Sequence, residues 1–145
     1  MRRVGRVSFL ALGWLFLAGV ATQFLLAGMS LFMRPGIWET HIGVGFTIGW
    51  IFPLAAIAGL VGREPGRAWG RLGLLFLVYL VQTTLPSFRG MGLLLVAALH
   101  PLNALLVFWM TLVFIRNARA AVAELEGVRQ APAPAAVGPG ALEIH

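Results

Sequence analysis

The stretch from Leu93 to Ile115 constrains this chain most, because it is an apolar segment that contains a histidine, a proline and an asparagine. A helix of about 20 apolar residues crosses the roughly 30 Å hydrocarbon layer of a bilayer. Within that layer His100 and Asn103 find no water, so other groups must meet their polar atoms. Residues three apart share a helix face, and we expect His100 and Asn103 to belong to one functional face.

The composition extends this conclusion to the whole chain. Hydrophobic residues make up 59% of the 145 residues and charged residues only 11%, which is outside the range of soluble domains. The net charge of +6 comes from arginines that flank the apolar segments. We interpret them as topology signals and expect the lipid bilayer, not nucleic acid, as the partner. Because the chain has no cysteine, disulfides and thiolate chemistry are excluded.

Four apolar segments predict an all-α integral membrane protein, a four-helix up-down bundle with a disordered C-terminal tail. Turn formers such as Pro35 and Gly36 separate the segments. Gly45 and Gly49 have a spacing that lets helices pack tightly in lipid, and Pro53 predicts a kink. The expected helices cover about residues 7–33, 38–61, 72–88 and 92–115 of a bundle at 1–128, and a proline- and glycine-rich tail covers 129–145.

The distribution of arginines predicts the orientation. Nine of them lie at the N-terminus, in the loop 62–71 and after the fourth helix, whereas the other two loops hold only Arg34 and Arg89. Positive residues stay on the cytoplasmic side, so we expect a multi-pass protein of the inner (plasma) membrane with both termini cytoplasmic. This orientation places one notable polar residue in the outer half of each helix.

These polar residues suggest a cofactor site. Neutral imidazole is a common axial ligand of haem iron, and helix bundles hold cofactors between facing side chains. We therefore predict a b-type haem with His41 and His100 as its metal ligands. The cofactor-binding set also includes three amide side chains that could orient the imidazoles or meet the propionates: Gln23, Gln82 and Asn103.

A packing role is the alternative. Hydrogen bonds between membrane helices contribute about 0.6–2 kcal/mol each, so the polar residues could simply fix the packing of a non-catalytic accessory or scaffolding subunit. This interpretation fits Gln23 and Gln82 better than His100, which lies deeper and is costlier to leave unused. A quinone-accessible pocket, a membrane protein partner and a homo-oligomer are also compatible with the sequence.

Helix geometry gives one expectation against a shared haem. Counted from the flanking arginines at about 1.5 Å per residue, His41 should lie about 9 Å higher than His100. Axial ligands of one haem should be nearly level.

Other classes of function have little support in the sequence. The spans contain no carboxylate of the kind that proton-coupled exporters use. A Ser/His/Asp set, an HExxH motif and a phosphate-binding loop are also missing. Whether the chain is an enzyme stays open.

Four segments carry a resemblance to known proteins: QFLLAG at Gln23, WETHIGVGF around His41, VQTTL at Gln82 and ALHPLNALLVF at His100. With them the chain resembles a family of uncharacterised bacterial four-helix membrane proteins, domain of unknown function 6220. More distantly, the order Gln, His, Gln, His is similar to one four-helix half of a haem A synthase. The resemblance implies binding of a b-type haem by His41 and His100.

Overall fold

The four apolar segments form the four spans of an up-down helix bundle, known from a computed structural model that describes residues 1–130. Each span is long and apolar enough to cross a membrane, so the chain is a multi-pass membrane protein and the predicted fold class is confirmed. The predicted tail lies outside the described residues from residue 131 onwards.

The four spans consist of six α-helices and two 3-10 segments. The first span is α1 (Arg2–Phe32). The second span consists of α2 (Ile37–Thr47), a 3-10 turn (Ile48–Trp50) and α3 (Ile51–Gly62). The third span consists of α4 (Gly66–Thr84) and a 3-10 segment (Leu85–Met91), and the fourth consists of α5 (Leu94–Ala97) and α6 (His100–Gln130).

Three helices extend further than the sequence pattern indicated. The first begins at Arg2 and not at about residue 7. The third span begins at Gly66, because Pro65 has the extended backbone of a helix N-cap (φ −69°, ψ 158°). Arg67 and Arg71, expected in a loop, therefore lie on the first turns of α4. The fourth span continues through an alanine-rich segment to Gln130, since alanine has the highest helix propensity.

Prolines locate the irregular turns of the second and fourth spans. Pro53 has no N–H for the carbonyl of Gly49, and the 3-10 turn Ile48–Trp50 lies there. Pro101 likewise cannot bond the carbonyl of Ala97, and the helix is interrupted between α5 and α6, next to His100. The interruption of the fourth span therefore places irregular backbone next to His100.

Aromatic rings dominate the core, which lies between the first span and its neighbours. Phe9 of α1 packs on Phe114 of α6 at a centroid distance of 4.8 Å, and Phe16 packs on Phe52 of α3 at 5.0 Å. Tyr79 of α4 completes the group at 5.1 Å from Phe52. Burial of such rings contributes strongly to packing.

Glycines set the closest approaches between the spans. At Gly5 and Gly62 the backbones of α1 and α3 touch, since a Cβ on Gly5 would lie 2.6 Å from Gly62 Cα. Gly49 instead accommodates a side chain, because its Cβ would lie 2.5 Å from Tyr79 Oη. Gly45 and Gly49 therefore contact the side chain of Tyr79. The close contact between two helix backbones is at Gly5 and Gly62 instead.

Candidate functional site

The structure brings the predicted polar residues into one layer across the bundle. His41 of α2 and His100 of α6 lie with ring centroids 6.2 Å apart and ring planes at 68°. All five members are partly buried and come from all four spans: Gln23, His41, Gln82, His100 and Asn103. The site residues proposed from the sequence are therefore neighbours in space.

The two histidines are nearly level, so the expected height difference of about 9 Å is wrong. The side chain of Arg6 accounts for this common height, because it donates to the carbonyls of both Gly62 and Ala121 and so holds the second and fourth spans at a fixed height relative to each other. His41 precedes Gly62, and His100 precedes Ala121, by the same length of about 21 residues, or about 32 Å of helix. The count failed because the fourth span does not end at its first arginine.

Hydrogen bonds fix the protonated nitrogen of His100. Its Nδ1 lies 3.0 Å from the backbone carbonyl of Gln82, which can only accept, so Nδ1 carries the proton. Its Nε2 then accepts from Gln82 Nε2 at 3.1 Å. Asn103 Nδ2 donates to Gln82 Oε1 at 2.8 Å and to the Val78 carbonyl at 3.1 Å. The orientation of the Gln82 amide is thereby fixed as well.

His41 has the same tautomer for the same reason. Its Nδ1 lies 3.2 Å from the backbone carbonyl of Gln23 on the first span, so Nδ1 donates and Nε2 keeps its lone pair. Trp38 stacks on the imidazole at 4.7 Å with ring planes at 10°. The ring is held from one face and one edge.

One donor in this layer has no partner. Gln23 Nε2 is buried and makes no hydrogen bond within residues 1–130. A buried polar group left unpaired costs about 1–3 kcal/mol. The same amide lies beside the second span, because a Cβ on Gly45 would be 3.4 Å from Gln23 Oε1.

The donor set suits a group that needs two protein ligands. No cluster of three or more His, Cys, Asp or Glu side chains able to hold a metal ion occurs among the described residues 1–130. Structural zinc requires four protein ligands and catalytic zinc three, whereas haem iron takes its axial ligands from one or two side chains. His41 and His100 match the second requirement.

A second polar site, at the other end of the bundle, was missed in the sequence. Arg6 is 6% exposed, donates to the Gly62 carbonyl at 3.4 Å (Nε) and the Ala121 carbonyl at 2.7 Å (Nη1), and lies 3.6 Å from Glu64 Oε1. Burial raises the pKa of Glu64, although the positive charge of Arg6 opposes this shift. Helical spacing places Arg6 on the buried face with Phe9, and this signal could have revealed it.

The fold and the polar layer define a class: a four-span membrane protein with two imidazoles and three amides at one level of the bundle. A family of unknown function (DUF6220) matches the chain over residues 23–88. That range contains Gln23, His41 and Gln82. No curated protein and no solved structure matches the chain, so the likeness to half of a haem A synthase stays a hypothesis.

Proposed function

We propose that the polar layer binds a b-type haem with His41 and His100 as axial ligands. One observation supports this most: each imidazole donates its Nδ1–H to a backbone carbonyl of a neighbouring span. Histidines that ligate metals generally make such a bond, because it fixes the ring and leaves Nε2 as the ligating atom.

The spacing of the rings supports the same pair. Two imidazoles that bind one metal ion from opposite sides, at about 2.0–2.1 Å each, have ring centroids about 6 Å apart. The distance between His41 and His100 is 6.2 Å. Gln82 Nε2 covers the His100 lone pair, so the Gln82 amide would have to turn away for His100 Nε2 to hold a metal ion.

The neighbouring amides would complete the site. Gln23 Nε2 is a buried donor without a partner among the described residues, and it suits an oxygen of the ligand. A bound haem would supply one-electron transfer. The chain contributes two neutral ligands, and Gln82 and Asn103 hold the fourth span against the third. A quinone is the alternative ligand for the same layer, since its carbonyl oxygens also require donors.

A non-catalytic accessory or scaffolding role is the second candidate, and a different observation favours it. Asn103, Gln82 and His100 satisfy one another between the third and fourth spans. Such bonds contribute about 0.6 kcal/mol each on average and up to about 1.7. Packing alone would then explain the layer.

A visible absorption spectrum distinguishes these functions. Wild-type protein purified from haem-replete cells should show a Soret band, and His41→Ala or His100→Ala should abolish or shift it. Added imidazole should restore the band in either variant if the lost group is an axial ligand. Tyr79→Phe is the matched control, because it removes a buried polar atom that donates to Gly45 and not to a histidine.

The opposite result is equally clear. Folded wild-type protein that is colourless, and that takes up no haem b added in detergent, would refute the haem proposal. The accessory role would then be the better explanation of the polar layer.

A further inference from the structure

A cavity of about 200 Å³ opens at the end of the bundle opposite the histidines. It lies between the first, third and fourth spans, beside the turn that joins the second span to the third. Its lining combines charged side chains with aromatic rings and an amide, and includes Arg6, Phe9, Glu64, Arg67, Arg71 and Asn117. The charged groups are of both signs.

Glu64 supplies an incompletely neutralised negative charge. Its side chain is only 3% exposed, and Oε1 has no hydrogen-bond partner within residues 1–130. Arg6 is the nearest cation, but it donates to the carbonyls of Gly62 and Ala121 and remains 3.6 Å from Oε1. A buried carboxylate without sufficient donors is unfavourable, so a cationic group in the cavity would stabilise it.

Arg67 and Arg71 supply the positive charge. They lie one turn apart on α4, where side chains of residues i and i+4 are neighbours. Neither makes a side-chain hydrogen bond or ion pair with the part of the chain that the structure describes. Paired guanidinium groups match the oxygens of a phosphate.

We infer that this cavity binds the head group of an aminophospholipid, with the ammonium at Glu64 and the phosphodiester at Arg67 and Arg71. A purely anionic ligand would meet the carboxylates of Glu64 and Glu124, which both line the cavity. A purely cationic ligand would meet the two arginines. A zwitterion satisfies both sets, and the end of a membrane span is the level at which lipid head groups lie.

The apolar part of the cavity favours a lipid over its free head group. Phe9 and Phe114 line the same space, and their rings pack on each other at 4.8 Å. This surface suits the glycerol and the first methylene groups of a lipid. None of the residues that line the cavity belongs to the polar layer, so lipid binding here is independent of haem binding there.

The first test compares a series of lipids on the wild-type protein, so that the protein itself is unchanged. Thermal unfolding of the wild type in detergent is measured with dioctanoyl-phosphatidylethanolamine, its N-methylated forms, dioctanoyl-phosphatidylglycerol and glycerophosphoethanolamine. Phosphatidylethanolamine should bind about tenfold more tightly than phosphatidylglycerol, the factor expected for one charged hydrogen bond. Successive N-methylation should weaken binding, since each methyl group removes a donor.

Two outcomes of this series overturn the inference. Equal affinity for phosphatidylethanolamine and phosphatidylglycerol would show that the ammonium is not recognised. Equal affinity for glycerophosphoethanolamine and the lipid would assign the cavity to a soluble phosphodiester.

Variants provide the second test. Glu64→Gln should abolish the preference for phosphatidylethanolamine, whereas Arg71→Gln should weaken binding of both lipids about tenfold. Glu126→Gln and Arg116→Gln are the matched controls, because both residues are exposed and lie outside the cavity lining. A folded Glu64→Gln protein with an unchanged lipid preference would refute the role of the carboxylate. If this variant does not fold, the N-methylation series on the wild type decides.

Discussion

The contact between Gly49 and Tyr79 predicts that the bundle loses stability when a methyl group is added at Gly49. A Cβ on Gly49 would lie 2.5 Å from Tyr79 Oη and 3.1 Å from Cζ. The ring cannot retreat freely, because it packs between Phe16 and Phe52 at centroid distances of 5.8 and 5.1 Å. Overpacking of this kind costs about 1–3 kcal/mol, and we expect Gly49→Ala to destabilise the bundle by about that amount.

Helix propensity acts in the opposite direction and needs its own control. Alanine is favoured over glycine in a helix by roughly 0.5–1 kcal/mol. Gly43 lies on α2, and a Cβ added there would have no neighbouring atom within 4 Å, so Gly43→Ala should be neutral or slightly stabilising. The difference between the two alanine variants isolates the clash with Tyr79.

A double mutant tests whether the hydroxyl is the cause. Tyr79→Phe alone loses the 2.7 Å hydrogen bond from Oη to the Gly45 carbonyl, at a cost of about 0.5–1.5 kcal/mol. It also removes the atom nearest to the new Cβ. Gly49→Ala/Tyr79→Phe should therefore be about 1 kcal/mol or more less destabilised than the sum of the single variants. The assay is unfolding by SDS in mixed micelles, followed by circular dichroism, and strict additivity would refute the reasoning.

Three further predictions use the same assay or a fusion reporter. Arg6→Met should destabilise the bundle by about 3–5 kcal/mol because it leaves a buried carboxylate unpaired, whereas Arg3→Met, whose ion pair is exposed, should cost less than about 1 kcal/mol. Gly5→Ala forces two helix backbones apart and should destabilise strongly, but Gly28→Ala, which has open space at its Cβ, should not. A reporter fused to the C-terminus should be active in the cytoplasm, and periplasmic activity would contradict the predicted orientation.

The polar layer could be predicted from the sequence because the bilayer supplies no water to polar side chains. A polar side chain within an apolar span must find a partner inside the protein, and only a few such residues occur. Pro101 lies at the interruption of the fourth span beside His100. What could not be predicted is the height at which the spans stand against one another, because that depends on a tertiary contact, the two carbonyls that Arg6 joins.

The site at Arg6 and Glu64 was hidden for a related reason. Arginines near the end of a span usually report topology, and a single glutamate in a basic loop suggests a solvated ion pair. The turn at Arg63 changes this, because its left-handed backbone (φ 51°) folds the next residue back so that the Glu64 N–H bonds the Gly59 carbonyl at 3.0 Å. Such a conformation is uncommon for a residue other than glycine, and the sequence pattern gave no reason to expect it here.

The burial of Glu64 makes the stability of the bundle depend on pH. Burial raises the pKa of this carboxyl more than the charges of Arg6 and Arg2 lower it, and Glu124 raises it further. A carboxyl with a folded pKa above its ordinary value of 4.5 stabilises the fold fully below that pH, and the stabilisation is lost as the pH rises through the folded pKa. Relative to the midpoint of Glu64→Gln, the wild-type midpoint of thermal unfolding should therefore fall as the pH rises above 4.5. Glu126→Gln, with an exposed side chain, should show the same fall relative to Glu64→Gln. A wild-type midpoint that rises relative to that of Glu64→Gln would show that the attraction of Arg6 outweighs burial.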